Sequence, residues 1–230
     1  MIVACQMNTT LFIETSGPYC SLALRAEGED FVENRKLDRT HNQYVLGMLD
    51  GLYEQAGLDR LSTNLIGFSA GPGSFTGVRI GAAIAQAVGF ASDAMVVPVA
   101  SSLVLAMTAS RRFQKTEWIT STKSRKNLYY WTHYSVTADS GHEIQETLLC
   151  DRSPVWLKEV RDSVGIVGDK PEWLEKKWVD GLYLDVYSEA SSVLDLVEKV
   201  HREGNSKMPG EALPIYVEGD SPWVKESDRK

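Results

Sequence analysis

Two hydrophobic periods alternate along the chain. Thr10-Leu-Phe-Ile-Glu-Thr15 is an apolar run that predicts a buried strand. Ser16-Gly-Pro-Tyr19 follows as a turn, Cys20–Arg25 alternates as a second strand, and Phe31–Arg35 is a weaker third. Strands joined by tight turns in this way predict an antiparallel meander. From His41 to Gly57 the period becomes helical. Val45, Met48, Leu49, Leu52 and Ala56 form one stripe, and Gly57 ends it. Tyr44, Leu46 and Tyr53 lie outside that stripe, so the helix carries more apolar surface than one core requires. Leu65–Ser69 predicts a buried strand, the next stretch a long helix from Thr76 to Ser92, and Ala94–Val99 another strand. Three strands, helix, strand, helix, strand is the order of an α/β layered domain.

The turn into the second helix reads Ala70-Gly-Pro-Gly-Ser-Phe-Thr-Gly-Val-Arg-Ile-Gly81. Gly71, Pro72, Gly73, Ser74, Phe75 and Thr76 force an unusual backbone path, and backbone N–H groups at such a helix start face a ligand or a partner. Neither standard phosphate pattern is met. A P-loop needs a Lys after its last Gly, and this segment has none. The dinucleotide fingerprint needs a third Gly where Thr76 stands. Within the helix, Gly77, Gly81, Ala85 and Gly89 fall four apart and make a ridge of small residues. From Ile80 to Ser92 there is no charge, and Arg79 and Asp93 bound the run. The run is too short to span a bilayer. Two readings stay open: a helix enclosed by the chain's own core, or one whose small ridge is sealed by a second protein. Arg79 is expected at an interface or pinning the turn.

The second half has a different texture. All six Trp (118, 131, 156, 173, 178 and 223) lie beyond residue 115. Trp118–Thr120, Leu128–Tyr134, Ile144–Leu149 and Gly165–Gly168 predict short strands. Pro154 opens a helical piece over Val155–Val160, and Ser188–Arg202 predicts an amphipathic helix. The texture changes near residues 105 to 115, which divides the chain into 1–108 and 109–230, with the last residues returning to the first part.

Charge and cysteine content narrow the function classes. With 24 basic and 31 acidic residues the net charge is −7, which argues against unaided nucleic-acid binding. Cys5, Cys20 and Cys150 are isolated and lack C-x-x-C spacing, so neither a disulfide framework nor a zinc site is expected. Met1–Gln6 lacks the basic start of a signal peptide, a cytoplasmic location is expected, and Met7 is an alternative start. Ser16 and Ser74 lack a neighbouring His and acid in sequence, and Cys20 sits inside a strand pattern, so no catalytic residue is expected.

Several stretches together resemble the TsaB (YeaZ) family. They are Ile13–Ser16 with Cys20–Leu24, Arg39–Tyr44, Gly71–Gly81, Val97–Leu103 and Leu213–Val217. The resemblance runs nearly end to end. It implies an actin-like ATPase (ASKHA, ribonuclease H-like) fold of two α/β subdomains, the second reduced. It also implies a non-catalytic part in forming N6-threonylcarbamoyladenosine at position 37 of tRNAs reading ANN codons. In that scheme a TsaD-like subunit performs the transfer, a TsaE-like ATPase docks on the pair, and tRNA is met only through the complex.

The family's two interface helices correspond to His41–Gly57 and Thr76–Ser92. The resemblance therefore puts His41, Tyr44, Val45, Met48, Leu49, Leu52, Tyr53, Gly77, Arg79, Gly81, Ala82, Ala85 and Gly89 at the partner interface. A homodimer is expected for the chain alone. Filling the ridge through Gly81→Leu or Ala85→Leu is expected to block the partner.

Departures from the family pattern are visible. His41 has no second His four residues on, so no metal is expected. Glu14 replaces the usual Asp after the first strand, which weakens Glu14 and Ser16 as nucleotide residues. No cofactor is then expected in the isolated subunit, with nucleotide only at the complex interface. Lys123-Ser-Arg125 replaces an Asp-Ala-Arg stretch, Leu128 stands where Glu is common, and Glu218 follows the late Tyr in place of Arg. Two other classes remain alongside the scaffold: an ATP-using or carbamoyl-handling enzyme of the same fold, and a peptidase.

Overall fold

A computed structural model describes residues 9–38, 40–125, 127–161 and 163–217. Cys5, Glu218, the charged tail and the choice between Met1 and Met7 lie outside them.

The first sheet holds β1 (Thr10–Glu14), β2 (Tyr19–Ala26), β3 (Glu29–Lys36), β4 (Leu65–Ser69) and β5 (Met95–Val99), in the order β3-β2-β1-β4-β5. β1, β2 and β3 form the expected antiparallel meander, and β4 and β5 add in parallel. Every residue of β1 and β4 is buried, because both faces of the sheet are covered. Leu11 and Ile13 meet α1 (His41–Ala56) and α2 (Phe75–Ser92) on one face. Phe12, pointing the other way, meets α3 (Ser101–Phe113) and α5 (Leu194–Arg202).

The second sheet repeats this plan. β6 (Glu117–Arg125), β7 (Leu128–Val136) and β8 (Gly141–Cys150) are antiparallel, and β9 (Gly165–Gly168) and β10 (Leu182–Tyr183) add in parallel. The order, β10-β9-β6-β7-β8, mirrors the first sheet. Doubling of one topology is the actin-like ATPase fold. The second lobe is reduced in its helices, not its strands. Where a helix was expected over Val155–Val160 there is a 3-10 stretch, Val155–Glu159. Between β9 and β10 only α4 (Lys176–Val179) remains. Aromatic side chains fill that thin outer layer: Tyr129, Trp131 and Trp178 pack with Ile119 and Leu157.

α3 has no counterpart among the expected elements, and it joins the lobes. Val104, Ala106 and Met107 share one core with Trp118, Tyr134 and Val167 of the second lobe and Phe12 and Val97 of the first. The division expected at residue 108 falls inside this helix. The return to the first lobe is also longer than the last few residues. A 3-10 stretch (Ala190–Val193) and α5 pack on the first sheet, and the chain then runs along α2 to Val217. Arg25 of β2 and Arg111 of α3 both reach Asp195 of α5, at 2.6 and 3.0 Å.

His133 of β7 is buried, stacks on Trp156 with ring centroids 6.0 Å apart, and lies 3.7 Å from Glu117. Burial pushes its pKa down, against the upward pull of Glu117. The folded state thus favours the neutral ring. In the window below the unfolded value the unfolded chain binds more protons, so stability is full above about pH 6.5 and falls as pH drops. Urea midpoints between about pH 7.5 and about pH 5.5 are expected to fall for the wild type and to fall less for His133→Gln. Equal slopes for the two proteins would contradict this assignment.

Candidate functional site

The Gly71–Thr76 turn is built by contact with the turn after β1. Ala70 donates to the Val99 carbonyl (2.7 Å), and the Gly71 N–H donates to Ser101 Oγ (2.9 Å). The Gly71–Pro72 peptide is cis. Ser74 donates its N–H to the Ser16 carbonyl (2.8 Å), and its hydroxyl caps α2 by accepting from the Gly77 N–H (3.3 Å). A Cβ added at Gly73 would lie 2.8 Å from the Ser16 carbonyl oxygen, so only glycine lets the two turns meet.

Glu14 lies beneath them, 1% exposed. Its Oε1 accepts from the Ser16 N–H and hydroxyl, both at 2.6 Å, and its Oε2 accepts from the Ser69 hydroxyl. Burial pushes the carboxyl above its ordinary range, while the hydroxyls of Ser16 and Ser69 and the backbone of Ser16 and Gly17 pull it down. A phosphate held at such a turn needs free N–H donors. Here those of Ser16, Gly71, Ser74 and Gly77 are already used inside the chain. Glu14 and Ser16, the weakened nucleotide candidates of the sequence, are bonded to each other.

A cleft of about 1520 Å³ opens between the lobes above these turns. Ser16, His41 and Gly73 line it from the first lobe, and Ser121, Lys123 and Asp169 from the second. Lys123, one departure from the family pattern, donates its backbone N–H to Asp169 (2.7 Å). His41 is buried, and its Nε2 has no hydrogen-bond partner among the described residues. Among those residues no three His, Cys, Asp or Glu side chains gather as a metal site would need. Burial pushes the Cys20 thiol up to about 12, which keeps it unreactive inside β2.

The small ridge of α2 faces inward. A Cβ on Gly77 would overlap the Thr15 carbonyl oxygen, and one on Gly81 would lie 2.7 Å from Thr15 Oγ1. One on Gly89 would meet Pro209 at 3.0 Å. Thr15 Oγ1 also donates to the Gly77 carbonyl (2.8 Å). The glycines thus let α2 lie directly on the first lobe's own backbone.

This corrects the expected interface. Gly77, Gly81, Ala82, Ala85 and Gly89 are buried by the chain itself. So are Val45, Met48, Leu49, Leu52 and Tyr53 of α1, which pack with the sheet's core, and His41, which lines the cleft. Of the expected set, Tyr44 is exposed and Arg79 half-buried.

Both helices turn another side outward. On α2, Thr76, Ala83, Ala87, Phe90 and Ala91 are exposed, and Ile80, Ile84 and Val88 are half-buried. On α1, Tyr44 and Leu46 are exposed. α2 carries no charge from Ile80 to Ser92, so its outward side is an uncharged strip, unusual for a helix facing water. The spacing 80, 83, 84, 87, 88, 91 was legible beside the glycine ridge. Nothing in the sequence told which side met the sheet.

A family model described as "TsaD: tRNA N6-adenosine threonylcarbamoyltransferase" matches residues 32–150. The chain is 34% identical over 233 residues to the tRNA threonylcarbamoyladenosine biosynthesis protein TsaB of Haemophilus influenzae, covering 96% of this chain and 98% of that protein. It is 25% identical to the Escherichia coli protein of that name, covering 94% and 96%. The solved structure of YeaZ from Pseudomonas aeruginosa superposes with a TM-score of 0.80 at 24% identity, covering 92% of this chain and all of that one. Its likeness bears on the fold. Identity of 34% sustained over nearly the whole length of both chains shows that this chain belongs to the TsaB family of tRNA threonylcarbamoyladenosine biosynthesis proteins.

Proposed function

We propose that the chain is a non-catalytic subunit that holds a TsaD-like enzyme through the outward side of α1 and α2, in the formation of N6-threonylcarbamoyladenosine at position 37 of tRNA. The observation that carries this reading is the uncharged strip on the outward side of α2. Such a strip is costly to leave in water and is covered well by a second apolar helix pair. The same pair would then present a composite surface to a TsaE-like ATPase. A homodimer through the same side is the expected state of the chain alone, in the cytoplasm.

The site favours a scaffold over an enzyme. Ser74 Oγ caps α2, and the Glu14 carboxyl that accepts from Ser16 Oγ is also tied to the Ser16 N–H and the Ser69 hydroxyl, an arrangement that braces two turns rather than one that frees a nucleophile. With the N–H groups of Ser16, Gly71, Ser74 and Gly77 used internally, the isolated chain is expected to bind no ATP, and nucleotide would enter only at a subunit junction.

Reconstitution tests the whole reading. Purified TsaD-like and TsaE-like proteins, with tRNA, ATP and a threonylcarbamoyl donor, are expected to modify tRNA over many turnovers only when this chain is added. The chain alone is expected to give no modified tRNA and no ATP-binding heat in calorimetry. Modified tRNA formed equally well without it would contradict the proposal.

A further inference from the structure

The returning segment is firmly attached up to Ala212 and lightly attached beyond it. Lys207 exchanges both backbone hydrogen bonds with Val96 at the edge of β5, at 2.9 and 2.8 Å. Pro209 and Ala212 are buried, and the Gln86 side chain donates to the Ala212 carbonyl (3.0 Å). From Leu213 onward the large side chains are exposed: Leu213 60%, Ile215 43% and Tyr216 60%. Among the described residues one backbone bond ties this stretch down, from the Ile215 N–H to the Ala70 carbonyl (2.7 Å).

Arg79 supplies the other tie. Its Nη2 donates to the Tyr216 hydroxyl (2.9 Å) and its Nη1 to the Phe75 carbonyl (3.0 Å). The guanidinium carbon lies 3.2 Å from the Phe75 ring centroid and 5.5 Å from that of Tyr216. No carboxylate of the described residues pairs with it. A planar cation between two rings, with its fork on two oxygens, is a geometry that Lys cannot reproduce.

We propose that Leu213–Val217 is a strap that opens and closes as a unit on the otherwise folded chain, with Arg79 as its latch. A stretch with exposed side chains and so few ties opens at far lower cost than the sheets. Closed, it sets the Ile215 carbonyl against Gly71 and fixes the Phe75 ring at the start of α2. A partner seated on α2 would meet Phe75 and Arg79 held still only when the strap is shut. Strap closure and partner binding therefore favour each other, and by linkage each strengthens the other equally. This coupling rests on the partner reading above; the latch itself does not.

Hydrogen exchange on the full chain, read by mass spectrometry, tests the latch first without any partner. Arg79→Ala is expected to speed exchange of the peptide carrying the Ile215 amide by about tenfold, with sheet peptides unchanged. Arg79→Lys is expected to behave nearly as Arg79→Ala, and Tyr216→Phe to give a smaller acceleration. Unchanged exchange at Ile215, or equal acceleration across the chain, would overturn the latch. Adding a TsaD-like protein is then expected to slow strap exchange in the wild type. Binding with unaltered strap exchange would overturn the coupling and leave the partner reading standing. No binding would overturn the partner reading and the coupling together, while the result on the isolated chain still decides the latch.

Discussion

Gly77→Ala is expected to destabilise the protein by about 3 kcal/mol, although α2 by itself would gain from the change. Alanine in place of glycine inside a helix favours the helix by about 1 kcal/mol. Here the new methyl would overlap the Thr15 carbonyl oxygen, a backbone atom that β1 and its turn hold in place. α2 would have to lift from the sheet along its buried side, loosening Val78, Ala82 and Ala85. The sign of the change therefore separates two accounts of the ridge. If the ridge faces the chain's own sheet, the urea midpoint drops sharply. If it faced a partner, stability would rise slightly. A rise would contradict the packing described above.

The opposite behaviour is expected on the outward side. Ala83→Glu with Ala87→Glu places two charges, four residues apart, at exposed positions of a helix that Glu suits. Stability is expected to change by no more than about 0.5 kcal/mol. Affinity for a TsaD-like partner is expected to fall at least about 100-fold, roughly 3 kcal/mol, because unpaired charges would be buried at the contact. Titration calorimetry checks the affinity and circular dichroism the fold. Undiminished affinity with both charges in place would show that the partner sits elsewhere. By contrast Gly81→Leu and Ala85→Leu, expected from sequence to block the partner, act on the chain's own core and lower stability first.

The elements with a clean period were legible in the sequence. The meander of β1 to β3, the stripe of α1 and the buried runs of β4 and β5 each follow from alternation or its absence. α3 was not, because its buried side is full of hydroxyls. Ser101, Ser102 and Thr108 are all buried there, and each hydroxyl has a hydrogen-bond partner within the fold. Ser101 accepts from Gly71, Ser102 bonds Tyr134, and Thr108 returns to the Val104 carbonyl. Hydroxyls at core positions blur the apolar period on which a helix is recognised. The 3-10 stretch at Val155–Glu159 shares the start signal of a helix, Pro154, and stops after five residues.

For the site, the sequence marked the right segment and left its direction open. A glycine ridge says that some backbone comes close, not whose. Thr15 decides it, through the carbonyl that excludes a methyl at Gly77 and the hydroxyl bonded to the Gly77 carbonyl. Glu14 was similarly ambiguous. An acid at a strand end in this fold suggested nucleotide, and its partners Ser16 and Ser69 show a carboxylate used to brace two turns. Ser69 lies fifty-five residues away in sequence, beyond the reach of any local pattern.

The measurement that bears most directly on the scaffold reading is size-exclusion chromatography with light scattering, on the chain alone and mixed with its TsaD-like counterpart. A homodimer that converts to a one-to-one heterodimer, and fails to convert when Ala83 and Ala87 both carry Glu, is the predicted result. Separate elution of the two proteins at every concentration and nucleotide condition would contradict it.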